Sequence, residues 1–497
     1  MPIRSSRLRS KVARTTPRAL AYIVAACAAA SSTFAAADQD PISIVGQSIG
    51  NDLSIDLSFG DTGYTIVNYN DADGTDDEAV RIVPADDGGY WMIGFHAPDQ
   101  GFQSVAISKL APSGLVDPTF GDGGKITAAT DVNLISDGIF ANDRFYIAGM
   151  HLLSESGPGE FAVACLNPDA TPCADFGDGG SQLLALSQPG LTSGATRILY
   201  RDGALFAIGN TDPGGSSGYS SAAAIVKLDA TTGALDTTFG DGSGPFAGTT
   251  VFDPNLYPDG FDDAHALAFA SNGDLLVGGS SQTAQGNASD GYVLALDPDT
   301  GVADNAFGTN GVVYFAADLG VHFDQVVVTA FHVASSGRIL VAGDANHDDE
   351  FFNTLTNVLL ASLEPDGTPT AAFGTNGIVN VNVGLNTETL DVAVFGDGGI
   401  LVSLSSNGLV PNDYTPDGLE SFVEFDATGS GPFATMSIEY PSSVGPTARA
   451  NSLLVDSQDR VVAAGFRLWD YTFPIPDSDH AVTRLLRDRV FAGGFDI

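Results

Sequence analysis

A Phe-Gly turn closed by a further glycine returns along this chain at intervals of about sixty residues, and a repeat of that length fixes the architecture before any other feature is weighed. The copies stand at Phe59-Gly60, Phe120-Gly121, Phe176-Gly177, Phe239-Gly240, Phe307-Gly308 and Phe373-Gly374, with a worn seventh at Gly431-Pro432-Phe433. Each unit carries four strand-like runs. In residues 264–315 these are 264–270, 275–279, 292–296 and 312–315, separated by turn residues such as Ser271-Asn272-Gly273-Asp274. The second run repeats best: Trp91-Met92-Ile93-Gly94, Tyr146-Ile147-Ala148-Gly149 and Leu340-Val341-Ala342-Gly343 are examples, and Leu404 replaces the glycine in the sixth. That glycine suits a positive φ or a close backbone approach. An Asp three residues before Phe, at Asp56, Asp117, Asp236 and Asp304, can accept amides two or three residues on and close an Asx turn.

A four-stranded sheet cannot bury both faces alone, and sheets packed radially bury them against one another. The fold expected is all-β: a seven-bladed β-propeller of four-stranded antiparallel blades. The N-terminal segment 56–69 holds a Phe-Gly turn and one strand, Tyr64-Thr65-Ile66-Val67-Asn68-Tyr69, while residues 451–486 hold three runs and no full fourth. The two ends are therefore expected to complete one blade, which removes an exposed sheet edge. The pattern in Leu235-Asp236-Thr237-Thr238-Phe239-Gly240 and at residues 339–343 resembles the delta-60 repeat family of bacterial β-propeller-like proteins, over residues 55–497. The resemblance implies architecture and export and brings no activity with it.

Residues 1–37 read as a secretory signal peptide: six basic residues, an apolar stretch at 19–30, and Ala35-Ala36-Ala37 before Asp38. A lipobox-like Val24-Ala25-Ala26-Cys27 offers a competing cut that would leave a lipid anchor on Cys27. Residues 38–497 then form a single domain, a secreted or periplasmic monomer with no transmembrane segment. Without the leader, 14 basic residues remain against 61 acidic ones, a balance that repels nucleic acid and anionic membranes. An exported chain meets an oxidising compartment, so Cys165 and Cys173 are expected to form one local disulfide.

In a propeller the loops at residues 70–78, 211–221, 280–291, 344–357, 405–419 and 467–479 share one face. Counting back from the second-run glycine aligns Val80, Asp137, Thr196, His265, Thr329, Asp391 and Asn451 at the starts of the inner strands. The six polar members are candidate ligand-binding residues at the channel mouth, against the plainer reading of a polar lining for a water-filled channel. Two acidic loops, carrying Asp71 and Asp73 and carrying Asp348 and Asp349, are candidates for calcium, without the spacing of a known calcium loop and with simple solvation as the plainer reading. His96 and His151 follow adjacent second runs and read as satisfied surface histidines. No Ser-His-Asp order stands out among the seven histidines, and no phosphate loop is present. The expectation is a non-catalytic binding or structural scaffold, with no catalytic residue assigned, acting through the long-loop face on a protein, polysaccharide or small ligand. The alternative is a secreted hydrolase or lyase acting on a polysaccharide or lactone at the channel mouth.

Overall fold

The computed structural model describes residues 43–47 and 53–487, apart from 70–74, 98–101, 155–156, 213–220, 241–245, 254–259, 284–287, 316–324, 349–353, 386, 407–418, 441–447 and 471–476. The described chain is strand and turn throughout. Consecutive strands pair antiparallel in fours, as in Phe261–Phe269, Leu275–Gln282, Ser289–Leu296 and Val312–Phe315. The first strands of the successive sheets are Asp76–Pro84, Leu134–Ala141, Gly194–Arg201, Phe261–Phe269, Gln325–Val333, Glu388–Val394 and Ala448–Val455. Each packs beside the first strand of the next sheet, and Ala448–Val455 packs beside Asp76–Pro84. The arrangement is a β-propeller.

Burial follows from this packing. Inner strands of a sheet lie between two neighbouring sheets, so Gly159–Leu166 and Leu419–Phe425 are buried almost without a break, whereas Phe261–Phe269 alternates. Apolar clusters fill the space between neighbouring sheets, and one of them joins Val462, Ala464 and Val482 to Phe59, Val67, Ala79 and Met92. The repeat phenylalanines plug these gaps: Phe59, Phe176, Phe239, Phe307 and Phe373 are at most 2 % exposed, each burial contributing about 1.5–3 kcal/mol. Phe433 of the worn copy is 48 % exposed.

The turn before each phenylalanine is built as its sequence requires. Asp56, Asp117 and Asp236 each accept a 3.0 Å bond from the amide two residues on, and Gly60, Gly177, Gly240, Gly308 and Gly374 donate to a carbonyl of the following turn. Gly60 takes φ +57°, with a carbonyl oxygen 2.1 Å from where a Cβ would stand.

One rung recurs beneath these turns. The amide of the Asp position bonds the carbonyl of a third-strand residue: Asp117 to Lys109, Asp236 to Lys227, Cys173 to Cys165, Thr370 to Ser362. The side chains of the same pairs also meet. Lys109–Asp117 and Lys227–Asp236 are ion pairs, Ser362 and Thr370 share a hydroxyl bond of 3.1 Å, and Cys165–Cys173 is a disulfide with Cα atoms 5.4 Å apart. The rung at Asp56 is made with Arg484, from the other end of the chain, with its amide bond at 2.8 Å and its ion pair at 2.6 Å.

Accordingly Tyr64–Val67 pairs antiparallel with Asp477–Arg487, Tyr64 opposite Thr483 and Val67 opposite His480. One strand was not expected: Ser43–Gln47 adds a fifth member beside Ala434–Glu439. The face expected to carry long loops also has longer strands than expected. Asp76–Pro84 and Ile339–Asp348 extend into segments read as loop.

Candidate functional site

The site begins with the second-strand glycine. At Gly94, Gly149, Gly209, Gly279, Gly343 and Gly465 an added Cβ would stand 1.8–2.1 Å from a first-strand carbonyl oxygen, that of Glu78, Leu134, Gly194, Asp263, Val327 or Arg449. None of the six has positive φ, so close approach is the reason for glycine. That approach accompanies a slip of one residue in the pairing of every first strand with its second. The extra residue of each bulge is Val80, Ser136, Thr196, His265, Thr329, Leu390 or Asn451. Five aligned positions thus fall on the bulge. Asp137 and Asp391 do not: they stand one residue later, in register with Arg81, Arg197 and Ser452, because alignment by counting cannot see which residue the ladder skips.

Most of these polar groups are occupied in joining sheets. A first strand is an inner edge, with backbone groups that have no ladder partner on the axial side. Thr196 Oγ1 donates to Ala264 O at 2.7 Å and Asn451 Nδ2 to Ala79 O at 2.8 Å, both on the next first strand. Asp137 accepts from Ile198 N at 3.0 Å, Asp391 from Leu453 N at 2.7 Å, and Ser452 from Ile82 N at 3.3 Å. Thr329 turns back to Ala342 O within its own sheet, 3.4 Å away. Arg81 grips Asp137 in a fork, Nε at 2.8 Å and Nη2 at 2.7 Å. Burial opposes the charge on Arg81, but Asp137 prevails and holds it above the ordinary arginine range.

Two members of the bulge region are left over. His265 makes no hydrogen bond, and Arg197 makes one, from Nη1 to Thr196 O at 3.1 Å. Two residues before the bulges lie Glu78, Asp263, Glu388 and Arg449. Glu78 accepts from Asn451 Nδ2 at 2.8 Å, and Arg449 pairs with Glu388. Burial, with Asp76 and Glu388 nearby, pushes Glu78 up to about 7 against the pull of Arg449 and Asn451. Burial lowers His265, and Arg197 adds to this against Asp263 and Glu388. Burial likewise lowers Arg197 and raises Asp391. Glu388 bears on the charge of both Glu78 and His265, and all three stand at or two residues before the bulges of their first strands. At neutral pH the starts of the first strands thus carry a carboxyl near half protonation, an uncharged imidazole and guanidinium groups, the components of acid–base chemistry.

The remaining candidates lie elsewhere. His96 Nδ1 is 2.6 Å from Asp77 Oδ1, and His151 Nδ1 is 2.7 Å from Asp131 O. Asp71, Asp73 and Asp349 fall outside the described residues, and Asp348 is described only as the end of its strand. Asp76, Asp77 and Glu78 belong to a strand and turn to Ser478, His96 and Asn451 respectively, not to a common centre. Among the described residues no group of three His, Cys, Asp or Glu side chains is placed to hold a metal ion, and no helix is long and apolar enough to cross a membrane. Sequence reading took Glu78 only as a member of the acidic loop at residues 71–78 and passed over Arg81 and Arg197. The second-strand glycine was the available signal, since the first-strand carbonyl it meets stands just before the bulge.

No protein-family model and no curated protein matches the chain. Solved structures similar to it include the polysaccharide lyase Uly1, at TM-score 0.48 and 10% identity over 90% of this chain and 99% of that one. Others are an α-L-arabinanase of Penicillium chrysogenum complexed with arabinobiose (0.38, 8%, 89% and 98%) and a periplasmic gluconolactonase of Pseudomonas aeruginosa (0.39, 12%, 82% and 96%). The expectation of a non-catalytic scaffold is corrected here. The axial mouth, expected to carry only binding groups, holds His265, which makes no hydrogen bond, and a Glu78 carboxyl raised to about 7.

Proposed function

We propose that the protein is a hydrolase or lyase acting on a polysaccharide or a lactone at the axial mouth. The observation that carries this is His265: the bulged residue of Phe261–Phe269, kept uncharged by burial, with no hydrogen bond to occupy it. Its equivalents Thr196 and Asn451 spend their side chains on the next strand. In this reading His265 is the general base, taking a proton from water or from a sugar carbon. Glu78, raised to about 7, is the acid that protonates the leaving oxygen. Arg81 and Arg197 stabilise negative charge that develops between them.

The test is turnover of a panel of polysaccharides and lactones, with ultraviolet absorbance of unsaturated ends separating elimination from hydrolysis. His265→Ala should lower kcat by about 10²-fold or more. Glu78→Gln should remove the decline in rate above about pH 7. An unchanged rate in His265→Ala, or no turnover across the panel, defeats the reading.

The same reading takes the sheets as a closed ring of seven blades in a delta-60 repeat protein. Three features support closure: the Asp56–Arg484 rung, the pairing of Tyr64–Val67 with Asp477–Arg487, and the bridge from Ser478 to Asp76, which repeats that from Ser289 to Gln325. Export after cleavage near residue 37 accords with the Cys165–Cys173 disulfide. Mass spectrometry of the mature N-terminus checks the cut.

A further inference from the structure

The chain has 61 acidic residues to choose from, yet Arg197 has no carboxylate partner. Among the described arginines only Arg338 shares this, and it sits at the turn between first and second strands, where its carbonyl accepts from Ala334 N. Arg197 instead lies in an inner strand beside the axis. Asp137, the acid that bears most on it, is saturated: its two oxygens accept from Arg81 Nε and Nη2, Gly138 N and Ile198 N. The five N–H groups of the guanidinium therefore have one protein acceptor, Thr196 O. Arg197 is half-buried, and none of its nitrogens is both sealed from solvent and unpartnered, so the remaining donors are open to a ligand. A planar fork of free donors fits a carboxylate with two parallel hydrogen bonds.

We propose that Arg197 binds the carboxylate of a sugar acid, so that the substrate is an acidic saccharide. This rests on reading the axial mouth as the site of a carbohydrate-acting enzyme, and it narrows that reading: a carboxylate on Arg197 sets the attached sugar beside His265, whose protonation already responds to Arg197. The negative net charge opposes such a ligand at long range, but at physiological salt a Debye length of about 8 Å confines that opposition to close approach.

The probes are glucuronate, galacturonate and mannuronate oligosaccharides, each beside its methyl ester and one beside a sulfated neutral oligosaccharide. Affinity is measured by calorimetry, and the His265 ring is followed by NMR. At least one acid should bind the wild-type protein tenfold or more tighter than its ester and shift the His265 signals. Arg197→Met should abolish that difference with the thermal unfolding midpoint retained, and Arg197→Lys should restore part of it. The proposal is overturned if no acid outcompetes its ester, if the discrimination survives Arg197→Met, or if the sulfated sugar binds as well as the acid. Turnover is scored separately. Acid-selective, Arg197-dependent binding without turnover sinks the catalytic reading and spares this one. Turnover of a neutral polymer with no acid-selective binding does the reverse.

Discussion

Replacing Asp56 by alanine removes one side of the rung that joins the two ends of the described chain. The Asp56 carboxylate accepts from Ser58 N and Oγ at 3.0 and 2.5 Å and from Arg484 Nε at 2.8 Å, with Nη2 at 2.6 Å. Both side chains are under a tenth exposed, and the Arg484 guanidinium lies 4.5 Å over the Phe59 ring. Without Asp56, Arg484 keeps the carbonyl of Pro112 at 2.9 Å and stays buried. Breaking a buried pair from one side costs about 3–5 kcal/mol. The equivalent Lys109–Asp117 pair is 19 % exposed on both sides, so its loss should cost much less. Urea unfolding at neutral pH, with Asp117→Ala as control and Arg484→Met completing a double-mutant cycle, measures the difference. Burial alone would raise Asp56, but bonds from Ser58 and Arg484 outweigh it and hold the carboxyl below its ordinary value. Its contribution is therefore present above the ordinary carboxylate range and fades as pH falls through the lowered value, so the Asp56→Ala penalty should shrink in acid. An Asp56→Ala penalty no larger than that of Asp117→Ala refutes the docking of the two ends.

Burial pushes Glu78 and Asp344 up to about 7 and Asp262 and Glu420 up to about 8. These carboxyls favour the fold fully below the ordinary carboxylate range and lose that effect as pH rises through 7–8, so the unfolding midpoint should fall from about pH 5 to about pH 9. Glu420→Gln, which keeps a partner for the Tyr440 hydroxyl now bonded at 2.6 Å, should flatten the fall; a midpoint that rises with pH contradicts the reasoning. Phe239→Ala should cost about 3–5 kcal/mol in urea unfolding and Phe433→Ala under about 0.5, since one is buried and the other is 48 % exposed. Gly149→Ala should cost about 1–3 kcal/mol with no φ strain involved, because the Leu134 carbonyl lies 2.1 Å from the new Cβ; a neutral effect would show that the bulge relaxes freely.

Features of the fold set by local chemistry could be read directly from the chain. An Asp two residues before a Ser or Thr, then Phe-Gly, makes the same turn at residues 56–60, 117–121 and 236–240 whatever surrounds it. The split of strands between the two termini was legible because Tyr64–Val67 lacks sheet partners in its own vicinity. Ser43–Gln47 was not, since it pairs with Ala434–Glu439 nearly four hundred residues away and carries no repeat signature. Counting from a glycine set Thr196, His265 and Asn451 on the bulge and Asp137 and Asp391 one place past it. The alternation of faces changes at a bulge, so a single skipped residue moves a carboxylate into a different ring. For the same reason Arg197, directly after a correctly placed Thr196, drew no notice.

Repetition also separates scaffold from site among the first strands. A bulge residue with a short donor, such as Thr196 or Asn451, satisfies the next strand's carbonyl, and an Asp or Ser after the bulge satisfies its amide. These substitute for one another because an inner edge needs some partner for its backbone. Imidazole and guanidinium serve that need poorly: His265 forms no such bond, and Arg197 bonds its own strand. Placing them there gives up inter-sheet bonds worth about 1 kcal/mol each. It also puts a cation and a titratable ring where desolvation lowers both their pKa values. A scaffold gains nothing from that exchange, whereas a site that moves protons beside a bound anion requires it, so the break in the repeat is itself the argument for chemistry at this point on the axis.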